Sequence, residues 1–316
     1  MAGGQERELR TRIRSIQSTQ KITRAFELIA ASRIVRAQQA INAARPYVTQ
    51  IRQVVKDVAA APEARRHPLF RTPDSVRRAG IIVIAGDRGL SGAYNANVLR
   101  AAERLVREHT AGGAEVDLVV SGRKAVGYFR YRHRNVAASV IGSSDRPTFE
   151  DARTLVAAVM EPYERGELDR IDIVYTRFVS VGSQQVVTRQ LVPLTGEATG
   201  EGEARANTVV FEYEPEPDEI INRLLPAWLE AEVLAALLES AASEHANRQR
   251  AMKAATDNAE ELIKTYVRAV NRARQDAITT EIMEIVGGSE ALRQVAGTSH
   301  STARTVDSDA ATAQPI

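Results

Sequence analysis

Apolar positions recur every three and four residues along both ends of this chain, while short β-branched runs fill its middle. From Leu224 the positions Leu224, Trp228, Ala231, Ala235, Leu238, Ala242, His245, Gln249, Met252, Thr256, Ala259, Ile263, Tyr266, Val270, Ala273, Ala277 and Thr280 keep a four-then-three spacing. That is the period of a helix with one face against a partner. No proline or glycine falls between Pro226 and Gly287, so the pattern predicts a helix of roughly 90 Å at ~1.5 Å per residue. Such a length exceeds ordinary globular helices and calls for a mechanical explanation before a chemical one.

The other end carries a second stripe. Ile34, Ala37, Ile41, Ala44, Val48, Ile51, Val55 and Val58 fill alternating a and d positions of heptads, and Leu9, Ile13, Ile16, Ile22, Phe26 and Ile29 continue it upstream with breaks of phase. Residues 5–60 therefore read as one helix, with Pro46 expected to kink it without stopping it. An antiparallel coiled coil would bury both stripes at once. Because the C-terminal stripe is the longer, part of it is left without a partner in its own chain.

Between the stripes the period changes. Ile81–Ala85, Val116–Ser121, Val136–Ile141, Ile171–Phe178 and Val186–Val192 read as strands, and helical segments near Ala93–His109, Lys124–Arg130 and Asp151–Arg165 separate the first four. This alternation predicts a mostly parallel sheet covered by helices, a Rossmann-like α/β domain. The later strands, Thr208–Tyr213 among them, follow without helices and are expected to pair antiparallel. Glu197–Ala206 reads as a mobile loop. The expected organisation is a helix over 1–60, a linker over 61–79, the α/β domain over 80–214, the long helix over 215–292 and a disordered tail over 293–316.

Composition narrows the function. Cysteine is absent, which removes disulfides, thiol catalysis and cysteine-based metal sites. The histidines His67, His109, His133, His245 and His300 are scattered. No apolar run approaches a membrane span, and the charges at Glu6, Arg7, Glu8 and Arg10 break up any leader. Folding in the cytoplasm follows, and attachment to a membrane would go through a partner. The net charge of +2 hides eight Lys or Arg against three acids in residues 1–40, and four acids without a base in residues 276–292. The basic arm is interleaved with an apolar helix face, so it suits acidic protein surfaces or solvent better than nucleic acid.

Candidate chemistry is sparse. Asp87-Arg88-Gly89-Leu90-Ser91-Gly92 stands where a phosphate loop would, after a strand and before a helix. It lacks both the dinucleotide glycine fingerprint and the Gly-Lys-Ser/Thr ending of a nucleotriphosphate loop. A tight structural turn set by Gly89 and Gly92 is the stronger reading, an anion site the weaker. His245 reads as a packed seam residue before a ligand or base. Glu281 and Glu284 share a face but lack the enclosure that separates the pKa values of an acid pair. Polar residues set into the stripes, including Gln20, Thr23, Arg248, Gln249, Thr256, Asp257, Asn258, Asn271, Arg274, Gln275, Thr279 and Thr280, suit register setting or reversible contact with an enclosing protein.

Several segments closely resemble the gamma subunit of the F-type ATP synthase, bacterial type. They are Ile13-Arg14-Ser15-Ile16-Gln17-Ser18-Thr19-Gln20-Lys21-Ile22-Thr23-Arg24-Ala25-Phe26-Glu27-Leu28-Ile29-Ala30-Ala31-Ser32, the Asp87–Asn95 turn, Ala251-Met252-Lys253-Ala254-Ala255-Thr256-Asp257-Asn258-Ala259, and Asn271 through Gly288. Order and spacing match over about residues 1–292. The resemblance implies a central rotor stalk that passes c-ring rotation to the catalytic sites of a ring of three alpha and three beta subunits. It further implies a foot that binds the epsilon subunit and the c-subunit ring, a place on the cytoplasmic side of the cell membrane as part of the F1 sector, and no catalysis or cofactor in the chain itself. Carried over by position, Lys21, Thr23, Phe26, Glu27, Arg248, Met252, Lys253, Arg274 and Gln275 are its expected rotor–stator contacts. Ser91 replaces a cysteine common in that family, the regulatory cysteine pair of the chloroplast form is missing, and the residues from Arg293 onward run past the usual end. A free-standing coiled-coil scaffold and a Rossmann-like nucleotide-binding protein are the competing readings.

Overall fold

The computed structural model describes residues 2–59, 69, 73, 75–194 and 217–303. The expected strand at Thr208–Tyr213, the loop at Glu197–Ala206 and most of the expected linker lie outside these residues. The chain divides into two compact units, one of Met1–Ile22 with Ala255–Ile316 and one of Thr23–Ala254. Two helices contribute to both: α1 (Ala2–Ala59) and α5 (Pro217–Ala303). α1 runs on through Pro46. α5 continues past Leu292 to Ala303, over the first part of the expected tail. Residues 293–303 hold Ser, Thr and Ala with a single glycine, Gly297, and no proline.

The larger unit is built on a five-stranded sheet in the order β3-β2-β1-β4-β5. Strands β1 (Arg78–Ile84), β2 (Glu115–Ser121), β3 (Val136–Val140) and β4 (Arg170–Phe178) are parallel, and β5 (Gln184–Val192) is antiparallel to β4. Helices α2 (Tyr94–Ala111), α3 (Arg123–Tyr131) and α4 (Phe149–Glu164) make the crossovers. Both faces of β1 are buried, which is why it reads as a continuous apolar run. Ile81 and Val83 pack with Val98, Ala102 and Leu105 of α2 and Phe129 of α3. Ile82 and Ile84 face the other way, onto Leu155 and Val159 of α4, Val48, Ile51 and Val55 of α1, and Leu225, Trp228 and Leu229 of α5. The strand order reverses after β3, and α4 accordingly lies on the face opposite α2 and α3.

Directed contacts add register to this oily packing. The Glu232 carboxylate, 2% exposed, accepts from Arg52 of α1 and Arg189 of β5 at 2.6 Å each. Thr148 and Asp151 form a reciprocal cap at the start of α4, with the Thr148 N–H donating to Asp151 Oδ2 at 2.7 Å.

In the smaller unit, Thr256, Ala259, Val270 and Ala273 are the buried positions of α5, and Leu9, Ile13, Ile16 and Gln20 of α1 are half-buried. Tyr266 hydrogen-bonds Arg12, which also pairs with Glu8 at 2.7 Å. From Ile278 to Leu292 the large apolar side chains lie open: Met283 is 68% and Leu292 73% exposed, and Ile278, Ile282, Ile285 and Val286 are exposed with them.

Candidate functional site

In parallel sheets, ligands bind beyond the carboxyl ends of the strands, where the strand order reverses. Here that point lies between β1 and β4, and the chain fills it with its own groups. Asp87, just after β1, accepts from the backbone N–H of Arg123 at 2.9 Å, of Gly142 at 2.9 Å and of Ser144 at 3.1 Å. Burial works to raise the Asp87 carboxyl, but these donors outweigh it and hold the carboxyl below its ordinary value. The N–H at the start of α3, which would cradle a phosphate, is therefore taken by a carboxylate of the same chain.

Helix α5 passes over the same edge. Ser243 donates to the Thr176 carbonyl at 3.2 Å, and the Thr176 N–H reaches Ser240 Oγ at 3.4 Å. Glu244, 1% exposed, stands so close over the turn that a Cβ on Gly86 would fall 2.8 Å from its carboxylate. The space left among Ile84, Tyr94, Ser121, Ser144, Ser240 and Glu244 is about 10 Å³, at most a single water. No nucleotide fits. Among the described residues no group of acids and histidines could hold a metal ion.

The polar groups beneath α5 form one network. Arg248 donates to Glu244, to the Gly89 carbonyl at 3.3 Å, and to Nδ1 of His245 at 3.3 Å. His245 also hydrogen-bonds the Asp145 backbone, with Nε2 3.9 Å from the Asp145 carboxylate. Asp145 in turn pairs with Arg33 of α1 at 2.6 Å and Arg88 of the turn at 3.3 Å. Burial raises the Glu244 carboxyl against the pull of Arg248. Burial and the neighbouring Arg248 together lower His245 from 6.5 to about 4, so it is neutral and can accept from the arginine.

A pH dependence follows from His245. Its folded pKa lies below its unfolded value, so between about 4 and 6.5 the unfolded chain binds the extra proton. The contribution is complete above pH 6.5 and is lost as the pH falls toward 4. His245→Gln should flatten the stability–pH curve in this window, by a total on the order of 3 kcal/mol. Urea midpoints of the two chains at matched pH measure it, and parallel curves would refute it.

The expected contact residues divide by exposure. Lys21, Phe26, Lys253, Arg274 and Gln275 are exposed, and Glu27 is half-buried beside Arg24 at 3.0 Å. Thr23, Arg248 and Met252 are buried at 9%, 7% and 6% exposure. The Arg248 guanidinium is taken up inside the network just described. In the turn, Gly92 takes φ +57, but the other left-handed residue is Leu90 at φ 63 and not Gly89. Thr279 and Thr280 turn their hydroxyls back onto the carbonyls of Gln275 and Asp276, at 3.0 and 2.9 Å. Glu281 and Glu284 are exposed, with no enclosing pocket.

The residues that sequence reasoning missed are Glu244, Asp145, Arg33 and Glu232. Asp145, Arg33 and Glu232 are charged side chains whose partners lie far away in sequence, and Glu244, though paired with Arg248 one turn on, lies over the distant Gly86. Gly86, a glycine directly against the end of a predicted strand, was the one available signal of a close approach.

Comparison with known proteins places these features. A family model described as ATP synthase matches residues 5–292. The ATP synthase gamma chain of Frankia casuarinae is 48% identical over 293 residues, covering 92% of this chain and 98% of the relative. That of Mycolicibacterium smegmatis is 46% identical over 300 residues, covering 90% and 97%. Among solved structures, a chain of the Euglena gracilis mitochondrial ATP synthase rotor superposes with a TM-score of 0.62 at 17% identity, covering 87% of this chain and 99% of that one. A chain of the Tetrahymena thermophila central stalk and c ring gives 0.58 at 20%, covering 74% and 99%. The structural likenesses speak to the fold, the sequence relatives to the family.

Proposed function

The chain belongs to the ATP synthase gamma-chain family, and from that premise we infer how its geometry serves the rotor. It is a non-catalytic subunit that couples c-ring rotation to the catalytic sites of the F1 sector, with the alpha and beta subunits (three of each), the epsilon subunit and the c ring as partners. The larger unit is a Rossmann-like foot whose ligand crevice has been given over to its own helix. α1 and α5 run antiparallel as a coiled coil, a reading supported by the order of their contacts, Arg12 with Tyr266 and Arg52 with Glu232. The domain limits are those expected from the sequence, with the C-terminal helix extended to Ala303. The protein sits peripherally on the cytoplasmic face of the cell membrane, consistent with the absence, among the described residues, of any helix long and apolar enough to cross it.

The observation that carries the mechanical reading is the bare end of α5. An apolar face from Ile278 to Leu292 left open in a soluble helix needs an enclosing protein. The ring of alpha and beta subunits supplies one. Of the expected rotor–stator contacts, Lys21, Phe26, Glu27, Lys253, Arg274 and Gln275 have the exposure to serve, and the exposed charges suit reversible, rim-type contact that turns over as the shaft rotates. Arg274→Ala with Gln275→Ala should lower ATP-driven proton pumping by about three- to tenfold, the scale of one or two polar contacts at ~0.7 kcal/mol each. Unchanged pumping in reconstituted enzyme would refute the assignment of these two. Failure of the wild-type chain to co-purify with alpha and beta subunits would refute the rotor reading itself.

A further inference from the structure

The larger unit offers two kinds of contact between its sheet and the helices α1 and α5, and they differ in what they resist. Ala, Leu and Val packing in the core holds the layers together but sets little resistance to sliding. Directed, charged contacts fix one register. At the carboxyl edge of the sheet, Glu244 and Arg248 of α5 close over the Gly86–Gly89 turn, and Asp145 of the β3–α4 loop holds Arg33 of α1 at 2.6 Å. Both shaft helices are thereby tied to the loops of one sheet edge within a single network. The Glu244–Arg248 pair is all but inaccessible to water, at 1% and 7% exposure. The pair lies within α5, one turn apart, and there Glu244 holds the Arg248 guanidinium aimed at the Gly89 carbonyl, 3.3 Å away, so the register of helix on turn is set through that directed contact. The Cβ-less Gly86 leaves the room over the turn that the Glu244 carboxylate occupies.

We propose that Glu244 and Arg248, with Asp145 and Arg33, form a torque joint: positioning residues that lock the foot sheet to the shaft helices so that rotation of one turns the other without slip. This rests on the rotor reading above. The joint touches neither nucleotide nor proton, so losing it should separate two activities that the intact enzyme keeps together.

The test uses the complete enzyme reconstituted in vesicles. Glu244→Gln keeps the shape of the side chain and removes its charge. We expect ATP hydrolysis within about twofold of wild type and ATP-driven proton pumping reduced by about fivefold or more, as a charge-assisted contact becomes a neutral one. A second variant guards against simple misfolding. This chain has no cysteine, and a Cβ on Gly92 would lie 3.6 Å from that of Ala251, within the ~3.5–4.5 Å of a disulfide. Gly92→Cys with Ala251→Cys therefore ties the turn covalently to α5. In the Glu244→Gln background the oxidised bridge should restore pumping, and reduction should abolish it again. The bridge alone, with Glu244 intact, should pump like wild type in both redox states.

Wild-type pumping by Glu244→Gln, or a formed bridge that fails to restore it, overturns the joint. If Glu244→Gln does not assemble, the triple variant is assembled oxidised and then reduced, and pumping that survives reduction overturns the joint equally. A wild-type chain that hydrolyses and pumps in the complete enzyme keeps the rotor reading standing whichever way these variants fall.

Discussion

Gly122→Ala should prevent the larger unit from folding, at a cost of about 4 kcal/mol or more. Gly122 joins β2 to α3 with φ +96 and ψ 135, a conformation that L side chains rarely adopt. A Cβ there would overlap the Ala85 carbonyl oxygen outright and lie 2.6 Å from its carbon. Ala85 cannot retreat, because its own N–H donates to the Ser121 carbonyl at 2.9 Å while Gly122 donates to Val140 at 2.8 Å. The ends of β1, β2 and β3 are thus fixed against one another through this residue. Gly113→Ala is the control. It too has a positive φ, +85, but nothing lies within 4 Å of its added Cβ, so it should cost only about 1 kcal/mol of backbone strain. Soluble yield and urea midpoints of the two chains measure the difference. Equal losses at the two positions would show that φ alone, and not the close approach, governs Gly122.

How much of this was legible in the sequence depends on the range of the forces involved. The helices and strands were readable because periodicity is a local record of which face is buried. Ile81 and Ile82 announce a strand buried on both faces, and the antiparallel β5 follows from the missing helix between Phe178 and Gln184. The last turns of α5 carry only weak local signals, since Ser, Thr, Ala and the single Gly297 weaken a helix without marking its end. The network around Glu244 was not legible at all. Acids and arginines are exposed by default, and nothing near Glu244 says that Gly86 will lie beneath its carboxylate. The burial of Arg248 is hidden in the same way, because a turn far upstream decides it. Asp87 was read as part of a possible anion loop. In the fold Asp87 is itself the anion, taking the N–H groups of Arg123, Gly142 and Ser144.

Ala254→Pro should lower proton-driven ATP synthesis by at least about tenfold, through the backbone alone. The Ala254 side chain is exposed, so its replacement disturbs no packing. Proline there removes the N–H that bonds the Arg250 carbonyl and drives its ring into that carbonyl, a cost of about 3 kcal/mol. Arg250 also holds the β4–β5 hairpin, donating to the Gly182 carbonyl at 2.9 Å, so a bend there strains an anchor of the sheet as well. The chain does carry prolines inside its helices, Pro46 in α1 and Pro226 in α5. Both lie beside core residues, Val48 and Ile51 in one case and Leu225 and Trp228 in the other, where tertiary packing holds the helix across the missing bond. Ala254 is flanked by exposed Lys253, Asp257 and Asn258 and has less packing to hold a broken ladder in line. Ala254→Gly separates cutting the ladder from loosening it: it keeps the N–H, costs about 1 kcal/mol and should leave synthesis within about twofold. Wild-type synthesis by the proline variant would mean that torque does not pass through the backbone of α5 at this point.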